Sequence, residues 1–187
     1  MATRKPPCIS LLAHPDVPSK AVRRVAACVE FVGPKSLRFQ YFLEADPLLV
    51  RIPPPVEGAG RADGLWAHTC FEAFVGLPEP PRYLELNFSP SGQWAAYRFD
   101  SYRQGMAPAL DAAPRLAVRR SEDRLELQAE VRPGGRQLDG GLRIALSTVV
   151  EDREGSLSYW AVRHPPGRPD FHHPDSFSLA LELPSNP

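Results

Sequence analysis

The chain has 187 residues, 22 of them basic and 22 acidic, so its formal charge at neutral pH is zero. That balance excludes a nucleic-acid binder working through a basic surface, and an acidic solvating tail. Proline and glycine supply 22 and 13 residues. Helix breakers at this density exclude a helix bundle or coiled coil and favour short strands joined by turns.

At the N-terminus the basic pair Arg4-Lys5 precedes a six-residue run, Cys8–Ala13, and then His14-Pro15-Asp16. The run is too short for a membrane span and is not followed by a cleavage-site pattern, so no leader is read and a cytoplasmic location is expected. Cys8, Cys28 and Cys70 are odd in number and lack CxxC spacing. They read as three reduced thiols packed as small hydrophobes.

Strand-like runs then recur along one expected domain, residues 1–187. They are Ala21–Val32, Leu37–Glu44, Leu48–Ile52, Leu65–Leu77, Tyr83–Phe88, Gln93–Asp100, Leu116–Arg120, Arg124–Val131, Leu142–Val150, Ser156–Val162 and Phe177–Leu183. Between Leu125 and Val131 every odd position is apolar and every even one polar, the mark of a strand with one wet face. Gly33-Pro34-Lys35-Ser36 and Ser89-Pro90-Ser91-Gly92 are hairpin-sized turns, and Gly134-Gly135 and Gly140-Gly141 are turn residues. Pro53–Gly64, Ala107–Pro114 and His164–Asp175 are long loops, the second with room for one helical turn. About eleven strands in one domain predict an all-β fold, an antiparallel two-sheet sandwich of jelly-roll type.

The central hairpin carries the chemistry. With a four-residue loop at 89–92, Phe88 faces Gln93, Leu86 faces Ala95 and Leu84 faces Tyr97, an apolar core face with Phe99 beyond. The other face then holds Asn87 with Trp94, Glu85 with Ala96 and Tyr83 with Arg98. In Leu65–Leu77 the even positions Trp66, His68, Cys70, Glu72 and Phe74 oppose a nearly all-apolar odd series. If that strand neighbours the hairpin, Glu72, Glu85, Asn87 and Arg98 share one face with the rings of Trp66, Trp94 and Tyr83. Such a face is either the solvated side of a sandwich or a concave ligand surface. Flat rings stack on sugar rings, and planar polar groups bond hydroxyls in pairs.

His172 and His173 are adjacent, so in an extended segment they point opposite ways and do not chelate one metal together. A structural or solvent role is read for each histidine except His68, which shares the expected face with Trp66 and Glu72. Gly58-Ala59-Gly60 and Gly64 follow a triple proline rather than a strand, so they form no dinucleotide fingerprint. No GxSxG elbow or phosphate loop is present.

Trp66-Ala-His-Thr-Cys-Phe-Glu72, and Tyr83-Leu-Glu-Leu-Asn-Phe-Ser-Pro-Ser-Gly-Gln-Trp-Ala-Ala-Tyr97 with Phe99 and Tyr102-Arg103, resemble the bacterial DOMON-like proteins. Those proteins are related to the family 9 carbohydrate-binding modules, and the resemblance runs from about Val29 to the C-terminal Phe177–Leu183. It implies a β-sandwich whose concave sheet or edge loops bind a sugar or a haem. In the sugar-binding relatives a tryptophan lies six residues before a glutamate, and an arginine follows on a later strand. Trp66, Glu72 and Arg98 match that order, and Trp160 stands where a second clamp tryptophan is sought. The relatives' calcium sites use Asp-rich loops, and no comparable cluster occurs here. Their haem ligands are Met and His, and only Met106 is available besides the initiator. No cofactor and no metal site are therefore expected.

These readings converge on a non-catalytic module that binds a carbohydrate or sugar-containing metabolite, with no nucleic-acid or membrane partner. Trp66 and Trp94 would stack, while His68, Glu72, Tyr83, Glu85, Asn87 and Arg98 line the face and Tyr102 and Arg103 rim it. A glycosidase-like hydrolase using Glu72 and Glu85 and a haem-binding domain are the alternatives.

Overall fold

The computed structural model describes residues 7–33, 35–77, 81–133 and 141–182. The Arg4-Lys5 pair, Pro34, the Gly134-Gly135 turn, Gly140 and Leu183 lie outside the described residues. Thirteen strands run through the described chain. They are β1 (Ile9–Ala13), β2 (Val22–Phe31), β3 (Leu37–Ala45), β4 (Val50–Arg51), β5 (Cys70–Gly76), β6 (Tyr83–Phe88), β7 (Trp94–Phe99), β8 (Ala107–Pro108), β9 (Arg115–Arg120), β10 (Arg124–Val131), β11 (Leu142–Asp152), β12 (Leu157–Ala161) and β13 (Leu179–Leu181). Helix among the described residues is confined to 3₁₀ turns at Leu65–Ala67, Leu110–Ala112 and Pro174–Ser176.

All strands pair antiparallel, in the order β8-β7-β6-β5-β11-β12-β1-β2-β3-β10-β9, with β4 and β13 joined to β11. Where the strand count anticipates two sheets, the hydrogen bonding runs through one curled sheet whose two arms face each other. The curl is made at β1. Its Ile9–Leu11 half pairs with β2, while Leu12 and Ala13 pair with β12. The apolar Cys8–Ala13 run is therefore a strand, one too short to announce itself by alternation. β8 is the other unforeseen strand, two residues long at the sheet edge.

Side-chain alternation places the core between the arms. In β10, Leu125, Leu127, Ala129 and Val131 are buried while the glutamates and glutamine between them reach solvent. Phe39 and Tyr41 of β3 meet Phe71 and Phe88 of the opposite arm, with ring centroids 5.0 Å apart for Tyr41–Phe71 and 5.9 Å for Phe39–Phe88. Each such fully buried ring contributes about 1.5–3 kcal/mol through area removed from water. Tyr41 also donates its hydroxyl to the Glu72 carbonyl at 2.6 Å, satisfying a buried polar group across the core.

The hairpin register differs by one residue from the expectation. Ser89 N–H donates to the Gln93 carbonyl, and the ladder pairs Phe88 with Trp94, Leu86 with Ala96 and Leu84 with Arg98. The turn thus holds five residues, 89–93, rather than four. Ser89 and Ser91 account for the extra residue, because their hydroxyls bond each other and backbone N–H groups inside the turn. With a side-chain period of two, that slip moves every β7 residue to the opposite face.

The cysteines also differ. Cys8 and Cys28 form a disulfide between the chain leading into β1 and β2, and Cys70 alone is free and buried. Their adjacency comes from the β1–β2 pairing, which sequence spacing does not reveal. Unreduced protein in denaturant is expected to show one reactive thiol, rising to three after reduction. Cys28→Ser should cost roughly 3 kcal/mol for a loop of this size, read as a fall in Tm. Three thiols before reduction would refute the bridge.

Candidate functional site

The slip leaves one sheet face carrying the chemistry. Glu72 pairs with Asn87, and Phe74 with Glu85. On the other side of β5, Glu72 pairs with Ser147 and Cys70 with Val149. β7 contributes Ala95, Tyr97 and Phe99 to this face, opposite Asn87, Glu85 and Tyr83. β12 contributes Leu157 and Tyr159, the latter opposite Val149. Above the face lies a cleft of about 420 Å³, lined by Trp66, Glu72, Glu85, Phe99, Arg103, Met106, Tyr159, Phe171 and His172 among others.

Trp66 stands on the 3₁₀ turn before β5 and is 41% exposed. The turn begins at Gly64, whose φ of 75° lies in the left-handed region that a side chain disfavours. A strut of Arg61, Asp63 and Tyr97 holds it. Arg61 donates two bonds to the Asp63 carboxylate at 2.6 and 3.0 Å, and Tyr97 donates its hydroxyl to the same group. The Trp66 ring meets Tyr97 edge-on at 5.9 Å.

The cleft floor holds two carboxyl groups. Glu72 is 3% exposed, and its Oε1 has no hydrogen-bond partner, nor has the Oγ of its cross-strand neighbour Ser147. Burial, and then the nearby Glu85, push the Glu72 carboxyl well above the ordinary carboxylate range, against a smaller pull from Arg103. Burial also raises Glu85, although Asn87 Nδ2 donates to its Oε1 at 2.7 Å. The other Glu85 oxygen lies 3.6 Å from His172 Nε2.

His172 arrives from the loop after β12. Its Nδ1 meets the Tyr83 hydroxyl at 2.8 Å, and burial lowers its pKa to about 4, so the ring is neutral at pH 7. Arg103 has a φ of 54°, a left-handed conformation that is costly for a residue with a side chain. Its backbone N–H bonds the Tyr83 hydroxyl at 3.2 Å, and its guanidinium bonds Asp170 at 2.8 Å. Tyr102 donates to the other Asp170 oxygen at 2.5 Å. These bonds hold the strained residue with its cation beside the cleft.

Trp66, Glu72, Glu85 and Arg103 therefore line one cleft. Tyr83, Asn87 and Tyr102 support them through the bonds just described. Four expected site residues lie elsewhere. Trp94 is on the other face of β7, packed against the main core and a groove with Pro55 and Pro90. Arg98, also flipped by the slip, is bonded to Asp111 at 2.6 Å. Trp160 faces the core, its indole N–H donating to Ser158 Oγ at 3.1 Å. His68 lies in the turn before β5 rather than on the strand, and its Nδ1 meets Glu151 at 2.8 Å.

Tyr159, Phe171 and His172 were not among the expected site residues. Alternation along β12 marks Tyr159 once β12 is known to pair with β11, and nothing in the loop sequence marks the other two. Met106 lines the cleft with His172. His172 Nδ1 is taken up by the Tyr83 hydroxyl, and Nε2 faces a Glu85 oxygen 3.6 Å away.

Several solved structures match this fold. A Bacteroides uniformis protein proposed to bind carbohydrate superposes with a TM-score of 0.67 at 16% identity, covering 95% of this chain and 86% of that one. A family 9 carbohydrate-binding module from Caldicellulosiruptor kristjanssonii, in complex with glucose, gives 0.57 at 8% identity, covering 92% and 81%. The module from that organism in complex with cellotriose gives 0.55 at 8% identity, covering 92% and 84%. The chain shares their fold. No protein-family model matches the sequence, and no curated protein matches it.

The buried groups predict a pH signature. A carboxyl whose pKa is raised by folding stabilises fully below the ordinary carboxylate range, and that contribution is lost as pH rises towards the raised value. For His172 the sign is opposite. Its contribution is complete above the ordinary value of 6.5 and is lost as pH falls towards about 4. Glu72→Gln should therefore raise Tm at about pH 8, with the gain shrinking towards about pH 5. A gain independent of pH would show that Glu72 is not held protonated by burial.

Proposed function

We propose that this protein is a non-catalytic module that binds a carbohydrate or sugar-containing metabolite in the cleft over β5, β6 and β11. One observation carries this reading: the exposed Trp66 ring borders a cleft floored by a buried Glu72 carboxyl that has no protein partner. An aromatic face beside unpartnered polar atoms matches a ring that is apolar on its faces and rich in hydroxyls at its edge. Trp66 stacks, Tyr159 and Phe99 wall the ligand, and Glu72, Glu85 and Arg103 bond its hydroxyls. The fold shared with the sugar-bound modules supports the same reading, as does the likeness of the Trp66–Glu72 and Asn87–Trp94 strings to DOMON-like proteins.

Burial raises both Glu72 and Glu85, and the charge on Glu85 raises Glu72 further. A cytoplasmic location belongs to the proposal too, and the Cys8–Cys28 bridge is the feature that opposes it, since disulfides persist in oxidising compartments.

Titration calorimetry with glucose, cellotriose and a glycan panel tests the function. Trp66→Ala should weaken sugar binding about tenfold or more while leaving Tm nearly unchanged. Trp94→Ala and Arg98→Ala should leave affinity at the parent level. Binding that survives both Trp66→Ala and Glu72→Gln, or the absence of any glycan ligand, would overturn the reading.

A further inference from the structure

The cleft has more acid than a neutral sugar needs. Glu72 and Glu85 line it against a single guanidinium, Arg103, and that guanidinium is already bonded to Asp170. His172 brings no charge at neutral pH. Glu72 and Glu85 are diagonal neighbours on one face of β5 and β6, close enough for one ligand group to meet both. Glu72 Oε1 is buried and unpartnered, and the Ser147 hydroxyl beside it is unpartnered too. Glu85 keeps one oxygen on Asn87 and turns the other to a neutral imidazole 3.6 Å away, beyond hydrogen-bonding distance. With no cation against them, both buried carboxyls are pushed towards their protonated forms, and a bound cation would favour their ionisation.

The aromatic lining points the same way. Trp66, Tyr159 and Phe99 border the cleft, and ring faces attract a positive group as well as an apolar one. A neutral hydroxyl-rich ligand uses the rings but leaves the two carboxyls without a cation. An ammonium answers both, since it donates three hydrogen bonds and carries the charge against which a buried carboxyl ionises, its proton passing to solvent.

We infer that the cleft selects a sugar bearing a free protonated amine, an amino sugar, with the ammonium seated between the Glu72 and Glu85 carboxyls. This rests on the sugar-binding reading and narrows it to a ligand class. N-acetylation removes both the charge and two of the donors, so the acetylated counterpart binds as weakly as the neutral sugar.

Calorimetry at about pH 7 with glucosamine, glucose, N-acetylglucosamine and cyclohexylamine separates the claims. Glucosamine should bind about tenfold or more tightly than glucose or N-acetylglucosamine, the scale of one charge-assisted hydrogen bond. Glu72→Gln should collapse the ratio of glucosamine to glucose affinity towards one. Equal binding of glucosamine and glucose would overturn the amine preference and leave the sugar reading standing. A parent-sized ratio in Glu72→Gln would overturn the assignment of the ammonium to Glu72. Binding of cyclohexylamine without any sugar would overturn the sugar reading and keep the preference for an amine. Binding of none of the four would overturn the inference.

Discussion

The packing of Phe39 and Tyr41 against Phe71 and Phe88 is the constraint on which the rest depends. Once those rings fill the space between the arms, the period of two along each strand decides every other side chain's direction. Phe71 inward means Glu72 outward, and Phe88 inward means Asn87 outward. The Tyr41 hydroxyl, bonded to the Glu72 carbonyl, ties the two arms at the strand that carries the central carboxyl. The polar face is therefore a consequence of the core, since the same backbone presents both.

What turns that face into a cleft is the loops. The Pro53–Gly64 connection ends in the Arg61–Asp63–Tyr97 strut that holds Trp66 at the rim. The loop after β12 lays Phe171 and His172 against Phe74, Tyr83 and Phe99. The turn after β7 pins Arg103 in a left-handed conformation through Tyr83 and Asp170. These additions shield Glu72 and Glu85 from water, and that shielding raises their pKa values. A face that would be an ordinary wet surface becomes one where unpaired carboxyls carry an energetic cost, which a ligand with the right donors can relieve.

Eleven of the thirteen strands were legible because their alternation, or their apolar runs between turn residues, survives in the sequence. Tyr83–Phe88 and Arg124–Val131 match to the residue. β1 was missed because five residues split between two neighbouring strands show no single wet face. The Leu65–Leu77 run was read as one strand, yet Gly64 begins a 3₁₀ turn there and the strand starts only at Cys70. Glu72, Glu85 and Asn87 were expected on one sheet face and lie on one, because β5 and β6 are regular. Trp94 and Arg98 do not lie on it, because a single residue in the Ser-rich turn inverts β7.

The sequence by itself determined the all-β class, most strand positions and the existence of a polar series opposite an apolar one. Those properties are local, written in periodicity two and in the placement of glycine and proline. Only the tertiary structure decided the strand neighbours, the five-residue hairpin turn, the Cys8–Cys28 bridge and the arrival of Tyr159, Phe171 and His172 at the cleft. Each of these depends on contacts between residues far apart in the chain, or on hydrogen bonds inside a turn. Pattern along one strand cannot show which strand lies beside it, and it is that neighbour which sorts a solvated residue from one facing a cleft.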